Sequence, residues 1–310
     1  MNNEGNLISV IMSVFNEPEV WLRESIESIL NQTFNNFEFI IINDNPDSET
    51  NKLILNEYKE KDNRIAIINN EKNIGLTKSL NKGIDFAKGE YIVRMDADDY
   101  SFPYRLEFQY EFMQNNLNCV LCGSAAEFYY ENKKNKKRKI YFLTDYQNIK
   151  WAMVFKNPIL HPTVIMRMSV VKQYNIKYNT EIKYSQDYDL WCKLINYGEL
   201  RNLDRILIRY RISNLQISTS KRAEQDFYAN AIRRNYLMSL TGFSNINDLT
   251  IGNIKQSKFG KIAYRYLISS FYLEKINMFY FLLLIIRGDF FIIKRDISFI
   301  LKTFKKKLFI

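Results

Sequence analysis

Histidine is nearly absent: His161 is the only one in 310 residues. Cysteine is scarce too, with Cys119, Cys122 and Cys192. Three cysteines exclude a disulfide framework, and the C-x-x-C of Cys119 and Cys122 lacks the partners a zinc site needs. Two thiols packed on a strand are the expected reading. Ten Gly and five Pro argue against long flexible linkers. The longest apolar run, "MFYFLLLII" at 278–286, ends at Arg287. It falls well short of the about 20 residues of an ordinary membrane-spanning helix, which leaves a helical core or an interfacial element. The start, "MNNEGNLISV", has no basic region and no long apolar stretch of a secretory leader, so a reducing cytoplasm is expected. No G-x-G-x-x-G follows the first strand and no G-x-x-x-x-G-K-[ST] occurs anywhere, which removes the usual glycine cradles for dinucleotides and ATP.

What is present is ordinary in amount and uneven in place. Hydrophobic residues make up 46% and charged residues 25%, as in a folded protein with one large domain or one domain and an appendage. The net charge is +10, but residues 253–310 carry twelve Lys/Arg against three Asp/Glu, a net of +9. The rest of the chain is therefore nearly neutral at +1. A near-neutral body with a basic, aromatic tail and no nucleic-acid motif does not predict a nucleic-acid binder.

The first hundred residues alternate strand and helix signals. "LISVIMSVF", "FEFIII", "RIAIINN" and "YIVRM" read as buried strands. Between them run three helices. The first, "PEVWLRESIESILNQ", has Val20, Leu22, Ile26, Ile29 and Leu30 at helical spacing. The second, "SETNKLILNEYKEK", has Leu53, Ile54 and Tyr58 inward. The third, "LTKSLNKGIDFA", ends at Gly89. This is the pattern of a doubly wound α/β sheet. After Pro103 the pattern is mixed: a helix "YRLEFQYEFMQ", strands "VLCGSAAEFYY" and "KIYFLT" around a polar loop "ENKKNKKRK", a strand "TVIMR", and a helix "DYDLWCKLINYG" capped by Gly198. From Ala223 onward the signals are mostly helical.

Ligands of open α/β sheets bind at the carboxyl ends of the strands. Here those ends read "SVFNE", "NDN", "NNEKNIG" and "DADD". Asp96, Asp98 and Asp99 fall within four positions, and like charges so close are unfavourable unless a cation sits between them. Two carboxylates flanking one residue can chelate Mn²⁺ or Mg²⁺, which can bridge a diphosphate.

Five blocks in order, "ISVIMSVFNE…LRESIESILNQTFNNFEFIIIND", "NIGLTKSLNKGI", "GEYIVRMDADD", "HPTVIMR" and "SQDYDLWCKL", resemble the inverting family 2 glycosyltransferases of the GT-A fold. Amylovoran-type, O-antigen and capsule enzymes of bacteria are the most similar, over residues 7–218. The resemblance implies a Rossmann-like, mostly parallel mixed sheet flanked by helices, with a helical C-terminal extension. The chain is expected to divide into a glycosyltransferase domain at 1–222 and a helical region at 223–310 whose basic, aromatic composition suggests membrane association, with an ordinary helical subdomain packed on the body as the alternative. Within the domain, 1–100 would hold the nucleotide sugar and 101–222 the acceptor. Ser13 and Phe15 would line the base, Glu17 the ribose, and Asp44 would accept a hydrogen bond from uracil. Asn73, Gly75 and Lys78 would approach the diphosphate. Asp96 would touch ribose or metal, Asp98 would be the principal metal ligand, and Asp187 the catalytic base. His161, Asp189 and Trp191 are possible supporting residues.

Read without the family, Asp187 is a helix N-cap, Asp44 a turn residue, and Trp191 core. The chain departs from the family in three places: Asn43-Asp44-Asn45 stands for Asp-Asp-Gly, Gln186-Asp187 for Glu-Asp, and Ser213 for a His near the diphosphate. That last change leaves a third metal contact open, with His161 a candidate. The implied activity is metal-dependent transfer from a nucleotide-diphosphate sugar, a UDP-sugar by expectation. The implied acceptor is a glycan or an undecaprenyl-diphosphate-linked glycan at the inner face of the cytoplasmic membrane. The alternative is a catalytically inactive sugar-nucleotide-binding or scaffold protein of an envelope assembly complex.

Overall fold

A computed structural model describes residues 8–131, 136–213 and 221–241. The basic aromatic segment 253–310 and the apolar run 278–286 lie outside them. Two compact units divide the chain, Met1–Arg233 and Arg234–Ile310. Among the described residues no helix is long and apolar enough to cross a membrane.

The first unit is built on one nine-stranded sheet. Strands β1 (Ile8–Val14), β2 (Phe37–Asn43), β3 (Ile65–Asn69) and β4 (Tyr91–Asp96) are parallel, in the spatial order β3-β2-β1-β4. Helices α1 (Glu19–Leu30), α2 (Glu49–Lys61) and α3 (Leu76–Phe86) connect them. The strands are apolar on both faces because helices cover both. Val10, Met12, Phe39 and Ile41 pack with Leu22, Ile26 and Ile54 in one cluster. Ile11 and Ile42 meet α3, which approaches so closely that a Cβ on Gly83 would fall 2.5 Å from Ile11 Cγ2. The chain order reverses between β1 and β4, which makes their carboxyl ends the switch point where doubly wound sheets bind ligands.

Beyond β4 the sheet turns mixed. It continues through β5 (Tyr100–Ser101), β6 (Cys119–Tyr130), β7 (Lys136–Ile140), β8 (Ile165–Arg167) and β9 (Glu199–Ile212). β8 lies antiparallel to both β4 and β6, and β6 runs parallel to β9. The helices here are α4 (Arg105–Asn115), α5 (Tyr146–Ala152), α6 (Met168–Gln173), α7 (Gln186–Leu194) and α8 (Arg222–Thr241). Cys119 and Cys122 are free, buried thiols on β6, as expected.

Several local expectations are corrected. Leu53 is 70% exposed, and Leu55 takes the inward place beside Ile54 and Tyr58. Val20, on the helical stripe of α1, is 73% exposed. The strand expected at "KIYFLT" lies earlier, over Lys136–Ile140, inside the expected polar loop. Backbone pairing to Phe128, Tyr129 and Tyr130 builds it, and no apolar alternation announces an edge strand of four cations. Helix α3 ends at Phe86, before Gly89. Helix α7 ends at Leu194, so Gly198 does not cap it. Gly198 serves close packing instead: a Cβ there would collide with Val120 and fall 2.6 Å from the Asn118 carbonyl oxygen. The Asn118 carbonyl accepts from the Glu199 amide at 2.8 Å, so it cannot move aside as a side-chain tip can. Gly198→Ala is therefore expected to destabilise the fold by about 1–3 kcal/mol. Urea unfolding checks this, and an unchanged midpoint refutes it.

Candidate active site

The end of β4 turns sharply. The Asp99 amide donates to the Asp96 carbonyl at 3.3 Å, and Ser25 of α1 donates its hydroxyl to the same oxygen at 2.9 Å. This turn brings carboxylate oxygens of Asp96, Asp98 and Asp99 within 4.8 Å of one another. Glu17, from the β1 end, joins the group: burial raises its pKa and the Asp96 charge adds to the rise. Burial, then Asp96 and Glu17, push Asp98 up to about 7. Asp99 is fully buried. Its Oδ1 accepts from the Arg211 amide at 2.9 Å, while its Oδ2 has no hydrogen-bond partner among the described residues. An excess of clustered carboxylates and an orphaned buried oxygen are the donor set a hard divalent cation takes. The residues present fit Mn²⁺ or Mg²⁺.

Two arginines hold this cluster, and neither was singled out from the sequence. Arg94 is 3% exposed and its guanidinium pairs with Asp96. A charged residue inside "YIVRM" is the signal that could have revealed it, since Arg is seldom buried without a paired role. Arg211 lies two residues before Ser213. Its Nε donates to the Asp98 carbonyl at 2.8 Å, and its guanidinium pairs with Glu24 of α1 at 2.6 Å. It also stacks over Trp21, 4.7 Å from the ring centre. Only the pairing of distant strands brings these groups together, so spacing along the chain could not reveal Arg211.

Asp187 stands in the first turn of α7. It is not the N-cap: Ser185 holds that place, at φ 63°, with no capping hydrogen bond from its side chain. Asn157 donates to Asp187 Oδ2 at 2.7 Å. Burial raises the Asp187 pKa, against the backbone of Tyr188, the Arg94 charge and the Asn157 amide, which favour the ionised form. The same Arg94 that grips Asp96 thus also acts on Asp187. Asp189 faces elsewhere and pairs with Lys193 at 2.7 Å, and Trp191 is fully buried core.

His161 does not join the carboxylates. Its Nε2 lies 2.7 Å from the Tyr178 hydroxyl, and its ring packs edge-on to Trp191 at 5.9 Å. Burial, with Arg94 nearby, pushes its pKa well below the ordinary value, so the ring is neutral. Among the described residues the acidic metal-type cluster is Asp96, Asp98 and Asp99 alone, so the third carboxylate that adjoins Asp98 is Asp99 and not a histidine.

The residues expected on the nucleotide side lie at the ends of β1 and β2 and at the start of α3. Ser13 pairs in register with Asp96, and Phe15 is 42% exposed. The Phe15 amide donates to Glu17 at 2.8 Å, while its carbonyl accepts from Asn45 and Asn51. Asp44 is 2% exposed and anchors the loop before α3. Its carboxylate accepts from the Ile74 and Gly75 amides at 2.8 and 2.9 Å and from Asn70 Nδ2 at 2.8 Å. Asn73 also accepts from the Gly75 amide, at 2.9 Å. Gly75 has φ 86°, a left-handed conformation that glycine adopts without strain. Asn73 and Lys78 are exposed beside it.

The family profile of Glycosyl transferase family 2 matches residues 9–174, the stretch that contains both arms of this cluster. The chain is a family 2 glycosyltransferase. The glycosyltransferase is 39% identical over 228 residues to an uncharacterized glycosyltransferase of Methanocaldococcus jannaschii, covering 72% of this chain and 77% of that one. It is 38% identical over 226 residues to the O-antigen biosynthesis glycosyltransferase WbnJ of Escherichia coli, covering 70% and 84%. Against the amylovoran biosynthesis glycosyltransferase AmsE of Erwinia amylovora it is 30% identical over 208 residues, covering 66% and 76%. Residues 1–349 of S. aureus TarS, crystallised with UDP-GlcNAc, superpose with a TM-score of 0.57 at 18% identity, covering 80% and 78%. The enzyme has the GT-A fold, as the resemblance implied.

Proposed function

We propose that this glycosyltransferase moves a hexosyl or N-acetylhexosaminyl group, with inversion, from a UDP-sugar to a hydroxyl of a lipid-diphosphate-linked glycan. Its product would serve a bacterial surface polysaccharide. The observation that carries the chemistry is the convergence of Glu17, Asp96, Asp98 and Asp99 at the switch point, with Arg94 paired to Asp96 and its charge also acting on Asp187. Relatives named for O-antigen and amylovoran biosynthesis support the pathway class. The TarS complexes with UDP and UDP-GlcNAc support the donor class.

On this reading Phe15 and Ser13 line the base, Glu17 lies by the ribose, and Lys78 meets the diphosphate with Asn73 and Gly75 beside it. Asp44 is assigned to the uracil, and its carboxylate also pins the loop before α3. Asp98, Asp96 and Asp99 would hold Mn²⁺ or Mg²⁺, which neutralises charge on a departing nucleoside diphosphate. A sugar hydroxyl is a poor nucleophile. Asp187 accepts its proton as the bond to the anomeric carbon forms, and Asn157 fixes the carboxylate that receives it. One base without a second carboxylate nucleophile gives in-line displacement and inversion. The basic aromatic segment 253–310 suits a protein working at the inner face of the cytoplasmic membrane.

A panel of nucleotide sugars tests the donor class. Release of nucleoside diphosphate, followed with Mn²⁺ or Mg²⁺ and a short lipid-diphosphate acceptor, is expected to be fastest with one UDP-sugar. A preference for a GDP- or CMP-sugar overturns it.

A further inference from the structure

Strand β7 raises a physical problem of its own. Lys136, Lys137, Arg138 and Lys139 are consecutive and all exposed, and Tyr141 just beyond is 56% exposed. Among the described residues β7 pairs with β6 alone, and its other edge has no strand partner there. Lys137 reaches Glu127 at 3.4 Å, but Glu127 already holds Arg209 at 2.9 Å. Lys136, Arg138 and Lys139 have no carboxylate partner among the described residues. Four adjacent cations repel one another, and one shared carboxylate does not balance them.

The position of this edge matters as much as its charge. Lys137 sits opposite Tyr129 in the ladder. The Tyr129 ring lies 5.5 Å from the Arg211 guanidinium, which donates to the Asp98 carbonyl. The basic edge is therefore a few side chains from the carboxylate cluster. Strand side chains alternate between faces, so the four cations flank the edge on both sides. A flat anionic surface that meets the edge takes all four, because long basic side chains bend toward a polar interface. Tyr141, exposed beside the edge, is an amphipathic residue of the kind that settles at a lipid–water boundary.

We infer that the β7 edge docks on an anionic lipid surface and presents that surface to the carboxylate cluster. Its purpose rests on the lipid-linked acceptor proposed above, but its test does not. The rival explanation is that edge cations only guard against strand-to-strand association. That explanation predicts lipid binding that does not depend on the β7 charges and a tendency to self-associate once they are removed.

The experiment uses the full chain and the triple variant Lys136→Gln, Arg138→Gln, Lys139→Gln, which spares Lys137 and its ion pair. Circular dichroism and a thermal melt confirm that the exposed changes leave the fold intact. Sedimentation is measured with vesicles of phosphatidylcholine alone and of phosphatidylcholine with phosphatidylglycerol. Wild type is expected to bind the anionic vesicles and to release them at high salt. The triple variant is expected to partition at least about 10-fold less. Residues 253–310 are present in both proteins. A partition carried by that segment alone leaves the variant at the wild-type level and overturns the inference. Equal binding to both vesicle types overturns it, and so does tighter binding to RNA than to anionic vesicles at the same salt. Nucleoside diphosphate release with a water-soluble acceptor fragment reads the catalytic proposal separately, and is expected to be the same for both proteins.

Discussion

Asp98→Asn is expected to reduce transfer to background, a loss of about 10³-fold or more, the upper scale for removing one preorganised electrostatic group. Asp98 shares the acidic group with Asp96 and Asp99, and the charges of Asp96 and Glu17 act on it. Burial, Asp96 and Glu17 make its ionised form less favourable against the opposing charge of Arg94, and a bound cation would reverse that balance. Removing Asp98 leaves Asp96 tied to Arg94 and Asp99 tied to the Arg211 amide, so the remaining pair is poorly placed to replace it. The effect has a readout that does not depend on turnover. Mn²⁺ at about 100 times its Kd stabilises the folded wild type by about 2.7 kcal/mol. The accompanying rise in melting temperature is expected in wild type and absent in Asp98→Asn. Excess chelator should abolish wild-type transfer and added Mn²⁺ or Mg²⁺ restore it. Full activity in chelator, or an unchanged thermal shift in the variant, refutes the assignment.

Asp187→Asn is expected to lower kcat by about 10²–10⁴-fold, the scale of a lost general base. Donor affinity should stay close to wild type, because the nucleotide-side residues lie on β1, β2 and the loop before α3. Stability should hold as well. Burial raises the Asp187 pKa in the fold above its unfolded value, so the ionised carboxylate disfavours the folded state above that unfolded value. A neutral amide of the same shape removes this cost at neutral pH, and its own oxygen can still accept from the Asn157 Nδ2. The variant should therefore melt at or slightly above the wild-type temperature. Asp189→Asn should cost far less turnover, since Asp189 is engaged with Lys193. A marked drop in melting temperature for Asp187→Asn, or the larger kinetic loss at Asp189, would show that the base is misplaced.

Much of this enzyme was legible in the chain because its first hundred residues follow local rules. Buried parallel strands must be apolar on both faces, and the helices between them must repeat near 3.6, so β1–β4 and α1–α3 can be read directly. The carboxylates of "DADD" were legible because the charges stand at a strand end, where ligands of such sheets bind. The absence of glycine cradles removed the main alternatives. Five ordered blocks then carried the family.

Only the tertiary structure decided the rest, for reasons that are not local. Strand β7 forms because β6 supplies a ladder, although its own residues are four exposed cations. Gly198 answers to the Asn118 carbonyl, a contact between chain segments with no periodic signature. His161 is the single histidine and a natural candidate ligand, yet packing against Tyr178 and Trp191 keeps it neutral and away from the carboxylates. Asp44 was placed at a strand end by its neighbours, but three donors from the chain beyond β3 decide where its carboxylate points. Arg211 is distant from Asp98 in sequence and is brought to it by the strand pairing that carries β9 back to β5. Side-chain type and period are properties of the chain. Which charges share one buried volume is a property of the sheet order, and it is that order which brings Arg94 to bear on both Asp96 and Asp187.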